Sequence, residues 1–155
     1  MRLRFISRLT VIVALTVLIT SDVLAQDQKS GDSSAGQAGL QYWNKIDKEA
    51  IETESGLQYK ILYAGTGRKP KSSSTVKVHY RGLLLDGGTF DSSYASEEPV
   101  ELSLKAVIKG WKEGLQLMRS GGVYVFLIPP ELAYGEKGSG VIPPNATLIF
   151  EIELF

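Results

Sequence analysis

Residues able to do chemistry are scarce in this 155-residue chain, and the scarcity narrows the reactions to consider. His79 is the only histidine and there is no cysteine. One imidazole and no thiolate cannot assemble a metal centre of three or four nitrogen and sulfur ligands. A chain without cysteine cannot be a thiol oxidoreductase either. His79 lies between Lys77 and Arg81 in an alternating run, which reads as the polar face of a strand rather than a general base. Gly65-Thr66-Gly67 lacks the third glycine and the following helix of a phosphate-binding loop, so it reads as a turn. What remains is a set of aromatic and aliphatic residues beside predicted loops: Tyr80, Phe90, Val107, Ile108, Trp111, Tyr134, Ile142 and Phe150. A single carboxylate, Asp91, stands among them. Such a set builds a dry pocket with few polar groups, suited to an apolar ligand, or it is plain core; residue types alone leave both readings open.

The elements that must position these residues are one helix and several strands. In the stretch Val107 to Met118, Trp111, Leu115 and Met118 fall at i, i+4 and i+7 and share a face, while Lys112, Glu113 and Gln116 take the other. Gly110 stands at its start and Ser120-Gly121-Gly122 closes it. Strands are predicted around Leu57 to Ile61, Val76 to Arg81, Val100 to Leu104, Val123 to Ile128 and Thr147 to Phe155. Asp86-Gly87-Gly88 is a hairpin signal, and Glu131 to Pro144 is a long loop rich in glycine and proline. Strand outweighs helix, and the short turns favour antiparallel pairing, so the fold class is α+β with the helix laid on a sheet.

The ends of the chain have a different character. Arg2, Arg4 and Arg8 lead into the uncharged run Leu9 to Thr20, and Val23-Leu24-Ala25 sets an aliphatic and a small residue at the −3 and −1 positions of a cleavage site. Residues 1–25 are therefore expected to be a secretory signal peptide, because the run falls short of the ~20 residues that span a bilayer. Export to the periplasm or the medium follows, with no stable membrane insertion after cleavage. Removing Arg2, Arg4, Arg8 and Asp22 from 17 basic and 17 acidic residues leaves 14 and 16, a net charge of −2. That balance, with no basic patch, argues against a nucleic-acid partner. Residues 26–53 are expected to form a polar tether followed by a short arm, in which Tyr42, Trp43, Ile46 and Ala50 could lie on the domain as a helix. They carry no heptad seam, so a monomer is expected. The domain proper is set at residues 54–155.

Five segments then place the chain beside a known family. Val78-His79-Tyr80-Arg81-Gly82, Phe90-Asp91-Ser92-Ser93, Val107-Ile108-Lys109-Gly110-Trp111, Ala133-Tyr134-Gly135 and Ile142-Pro143-Pro144 occur in the order and at the spacing that resemble the FKBP-type peptidyl-prolyl cis-trans isomerases, above all their exported bacterial branch. The resemblance implies a half-open antiparallel sheet, mostly five-stranded, wrapped around one short helix. It implies rotamase activity on proline-containing polypeptides without a metal or cofactor, and macrolide inhibitors as further ligands. It assigns Trp111 as the floor under the proline ring, Tyr80, Phe90, Val107 and Phe150 as walls, and Ile142 beneath the long loop. The Ile108 N–H, the Tyr134 hydroxyl and the Asp91 carboxylate would be the polar contacts. Val100 stands where many relatives carry an aromatic wall, and the loop Tyr94 to Pro99 has no arginine to face Asp91. A chaperone-like module that holds apolar segments and isomerises weakly is the alternative function.

The leader makes the first prediction. Intact-mass measurement of the exported protein should show cleavage before Gln26; a product that keeps residues 1–25 would contradict the assignment.

Overall fold

The structure, a computed structural model, describes residues 38–96 and 98–155. The expected signal peptide, and the tether as far as residue 37, lie outside the described residues. In chain order the elements are helix α1 (Ala38–Ile46), a 3-10 turn (Asp47–Glu49), β1 (Ile51–Glu52), β2 (Gln58–Tyr63), β3 (Thr75–Leu84), β4 (Thr89–Ser92), β5 (Val100–Ser103), helix α2 (Lys109–Leu117), β6 (Gly122–Ile128) and β7 (Leu148–Leu154). Two further 3-10 turns, Pro130–Leu132 and Gly135–Lys137, break up the long loop before β7.

The strands form one antiparallel sheet in the order β1-β2-β6-β7-β3-β4, with β5 also paired to β3. The expected five ranks become seven strands for a local reason. β5 pairs with Thr75 to Val78 and β4 with Arg81 to Leu83, so the two follow one another along a single edge of β3. The segment between them leaves the sheet and ends at Pro99, which has no N–H for a ladder. β1 is only two residues long. The hairpin from β3 to β4 turns at Gly87, whose φ of 86° is open to glycine and costly to other residues. The Asp86 carboxylate accepts the Gly88 N–H at 2.7 Å and closes it.

Helix α2 lies across the concave face. Trp111, Leu115 and Met118 are all buried there, with Leu57, Val78, Phe126, Ile128, Leu148 and Ile152 beneath and around them. The approach is close because two glycines face the sheet. A Cβ on Gly110 would sit 2.5 Å from Ile128 Cγ2, and one on Gly114 would sit 2.6 Å from Phe126 Cε1. No real side chain packs at such distances, so these positions allow the helix to rest on β6 itself. The Ile108 carbonyl accepts the Lys112 N–H at 3.0 Å and closes the first turn.

The convex face carries a second, smaller core. Trp43 of α1 is buried against Leu83, Val125 and Ile149. That is why β6 reads as a continuous apolar run: its alternate residues face two different layers. Glu151, on the same side, is only 6% exposed. It accepts the Tyr42 hydroxyl at 2.9 Å and lies 3.3 Å from Arg81 Nη2. Burial, then the Glu151 charge, pushes the Tyr42 phenol well above its ordinary range, so the hydroxyl stays a donor. A buried carboxylate stripped of such partners is strongly destabilising, which makes α1 part of the fold.

Trp43→Ala should therefore lower stability by about 3–5 kcal/mol, the range for a large buried aromatic. Urea unfolding would measure it; an unchanged midpoint would mean that α1 contributes nothing to the domain.

Candidate functional site

Between the start of α2 and the concave sheet lies a cavity of about 410 Å³. Each wall comes from a different element. Tyr80 projects from β3, Phe90 and Asp91 from β4, and Phe150 from β7. Val107 and Ile108 lead into α2, whose first turn presents Trp111, and Tyr134 closes the set from between the two later 3-10 turns. These residues are far apart in sequence and meet only because β4, β3 and β7 are neighbours in the sheet and α2 rests on β6.

The rings pack edge to face. Tyr80 and Trp111 centroids are 5.0 Å apart at 86°, Trp111 and Phe150 5.2 Å at 87°, and Phe90 and Phe150 5.4 Å at 89°. Edge-to-face contacts hold each ring by its neighbour's quadrupole, so the box keeps its shape without a ligand. Gly82 makes room for it: a Cβ there would come 2.6 Å from Phe90 Cζ and 2.8 Å from Phe150 Cε1. Trp111 is both core and floor, buried to 5% exposure and lining the cavity. Its indole Nε1 is buried without a hydrogen-bond partner.

Polar groups are few and differ in kind. The Tyr80 hydroxyl donates to Asp91 Oδ2 at 2.7 Å. Burial, then that hydrogen bond, raises the Tyr80 phenol well above its ordinary range and keeps the proton in place. Tyr134 is 39% exposed, and its hydroxyl has no partner among the described residues. The Ile108 N–H likewise enters no backbone hydrogen bond among them, and no side chain caps the helix at that position. His79 is on the other side of its strand, with Nδ1 3.1 Å from Ser93 Oγ and its ring stacked on Tyr94 at 5.1 Å. Among the described residues no group of three His, Cys, Asp or Glu side chains could hold a metal.

The structure thus brings together Tyr80, Phe90, Asp91, Val107, Ile108, Trp111, Tyr134 and Phe150. Ile142 is not among the residues that line the cavity and lies beneath the long loop. It is 7% exposed inside the main core, because Ser139 and Ile142 exchange two backbone hydrogen bonds, of 2.9 and 2.8 Å, that tuck the loop inward. The reduced wall expected at Val100 is also displaced, since Leu102, two residues on along the same face of β5, lines the cavity instead. Leu102 and Ala106 were missed; the alternation at Leu102 marked it as buried and could not say beside what.

Comparison with known proteins adds the following. The profile of the FKBP-type peptidyl-prolyl cis-trans isomerase family matches residues 66–155. A probable FKBP-type peptidyl-prolyl cis-trans isomerase of Haemophilus influenzae is 56% identical over 108 residues, covering 69% of this chain and 45% of its own. The FKBP-type peptidyl-prolyl cis-trans isomerase FkpA of Escherichia coli is 47% identical over 133 residues, 84% of this chain and 49% of that protein. The chain thus spans about half the length of these curated relatives. The crystal structure of Escherichia coli FkpA superposes with a TM-score of 0.69 over 76% of this chain and 56% of that one, at 47% identity. A peptidyl-prolyl cis-trans isomerase from Pseudomonas syringae gives 0.66 over 83% and 97%, at 34% identity.

Gly82→Ala separates cavity from core. The added methyl must displace Phe90 or Phe150, so ligand affinity and any turnover should fall about tenfold or more, as a displaced wall costs on the order of 1.4 kcal/mol. Tyr134→Phe should leave the unfolding midpoint unchanged, whereas Trp111→Ala should lower it along with binding, at a cost of about 3–5 kcal/mol. Calorimetry beside a binding assay reads both; equal destabilisation by all three would reduce the cavity to ordinary core.

Proposed function

The chain belongs to the FKBP-type peptidyl-prolyl cis-trans isomerases, and from that premise we propose that it binds proline-containing segments in the aromatic cavity and accelerates rotation about the X–Pro bond. The observation that carries this reading is a pre-shaped, largely apolar box with one carboxylate and no nucleophile–base pair. A reaction that makes and breaks no covalent bond needs no such pair.

The chemistry follows from the amide. Resonance gives the peptide bond a barrier of ~18–20 kcal/mol, and X–Pro bonds exchange unaided in roughly tens to hundreds of seconds. Resonance places negative charge on the carbonyl oxygen, and water stabilises that charge. Burial among Trp111, Phe150 and Phe90 removes the water and favours the twisted, less polar amide. Each ~1.4 kcal/mol gained in this way speeds rotation tenfold. Trp111 is the floor for the proline ring, and Tyr80, Phe90, Val107 and Phe150 are the walls. The Ile108 N–H and the Tyr134 hydroxyl, which make no hydrogen bond among the described residues, hold substrate carbonyls in this reading, and Asp91 acts at the rim.

The same proposal makes the protein an exported folding catalyst of the periplasm or the medium, acting as a monomer and open to macrolide ligands in the same cavity. Its support is the Arg-flanked leader, the absence of a heptad seam, and the apolar box. Among the described residues no helix is long and apolar enough to cross a membrane.

No group gains or loses a proton in this mechanism. The rate on an X–Pro peptide should be flat between about pH 6 and pH 9, below the ordinary phenol range near 10. The upward shift of Tyr80 means that its donor persists through this window and is lost only as pH rises beyond it. His79→Gln should keep nearly full activity. A protease-coupled or NMR exchange assay checks both; a limb near neutrality that disappears in His79→Gln would put general acid–base catalysis in its place. Absence of turnover on every peptide would sink the isomerase reading.

A further inference from the structure

The cavity carries one formal charge. Every lining residue other than Asp91 is neutral, and Asp91 stands exposed at the rim. The Tyr80 hydroxyl fixes the carboxylate through Oδ2, while Oδ1 takes no hydrogen bond among the described residues. Among the described residues no cation pairs with this charge. The ion pairs Lys60–Glu49, Lys77–Glu101 and Arg81–Glu151 lie elsewhere among the described residues, and none involves Asp91. The chain on either side of the rim adds no positive charge: from Asp86 to Glu101 it holds Asp86, Asp91, Glu97, Glu98 and Glu101 and neither lysine nor arginine. Lys105 and Lys109 flank the segment that supplies Ala106, Val107 and Ile108, and neither comes within ion-pair distance of Asp91.

A carboxylate with no cationic partner among the described residues, set at the mouth of an apolar cavity, projects its field toward whatever occupies the mouth. Asp91 and Trp111 line the same cavity, so the neighbours of a proline seated over Trp111 lie in the field of this carboxylate. We infer that the pocket favours X–Pro segments with a lysine or arginine beside the proline and disfavours those with an acidic neighbour, with Asp91 as the residue that reads the charge. This rests on the cavity being the proline site. The low-dielectric walls strengthen the attraction relative to a flat surface, and the exposure of Asp91 limits it. An exposed ion pair is worth roughly up to fivefold. Attraction of lysine and repulsion of glutamate act in the same direction, so the spread between them should be about tenfold.

The test uses peptides that differ only in X before proline, with X lysine, glutamine or glutamate. Both isomerisation and binding, by calorimetry, would be measured on the mature protein. At low ionic strength kcat/KM and affinity should fall in the order lysine, glutamine, glutamate. The spread should shrink toward one in about 0.5 M salt, where the screening length is only a few ångströms. Asp91→Asn keeps an acceptor for Tyr80 and removes the charge, so the lysine-to-glutamate ratio should collapse whatever the absolute rate. Equal affinities in the unaltered protein, or a spread that survives Asp91→Asn or high salt, would overturn the inference. Binding in the predicted order without turnover would leave charge selection standing and overturn the isomerase reading instead.

Discussion

The approach of α2 to β6 is the constraint on which the rest of the domain depends. Gly110 and Gly114 lie one helical turn apart and rest on Ile128 and Phe126, so the helix axis lies as near the sheet as backbone permits. At that depth Trp111, beside Gly110, cannot point to solvent or pass between helix and sheet. It lies in the concavity with its ring edge-on to Tyr80 and Phe150. A side chain at Gly110 or Gly114 would lift the helix and separate Trp111 from both rings. The floor of the cavity and its depth follow from this one contact.

The sheet is held from its other side by a layer of different chemistry. Trp43 covers Val125 and Ile149, and beside it Glu151 lies buried with Tyr42 and Arg81. Burying a carboxylate is costly unless it is paired and hydrogen-bonded, so this network fixes where α1 can rest. β7 is the strand shared by the two layers. Phe150 faces the cavity while Ile149 and Glu151 face α1. Rigidity imposed on one side of β7 therefore holds a wall of the cavity on the other.

The chemistry proposed for the site is one of exclusion rather than attack. Neither a metal nor a nucleophile–base pair is needed to twist an amide; a shaped apolar box is. The polar groups present are donors and a single acceptor at the edges: the Ile108 N–H, the Tyr134 hydroxyl, and Asp91 tied to Tyr80. In the proposed isomerase reading they hold the flanking peptide while the bond between them turns. His79 shows how one strand separates roles, since its ring belongs to a cluster with Tyr94 and Phe155 on one side while Tyr80 serves the cavity on the other.

The sequence alone determined the local quantities. The 3.6-residue spacing of Trp111, Leu115 and Met118 gave the helix and its buried face, alternation gave β3 and β7, and Asp86-Gly87-Gly88 gave the hairpin, because each is set by contacts within a few residues. Five ordered segments gave the family, and with it most residues of the cavity. Tertiary structure alone decided what depends on neighbours distant in the chain. Leu102 rather than Val100 lines the cavity because of how β5 sits along β3, and Ile142 turns into the core because Ser139 captures its backbone. Gly82 is silent in sequence, and its value appears only when Phe90 and Phe150 converge on it from different strands. Glu151 reads as one more polar residue in an alternating strand until α1 lands on it. Burial of both sheet faces breaks the rule that alternate residues of an antiparallel strand see water, and no local pattern reveals when a second layer will be there to break it.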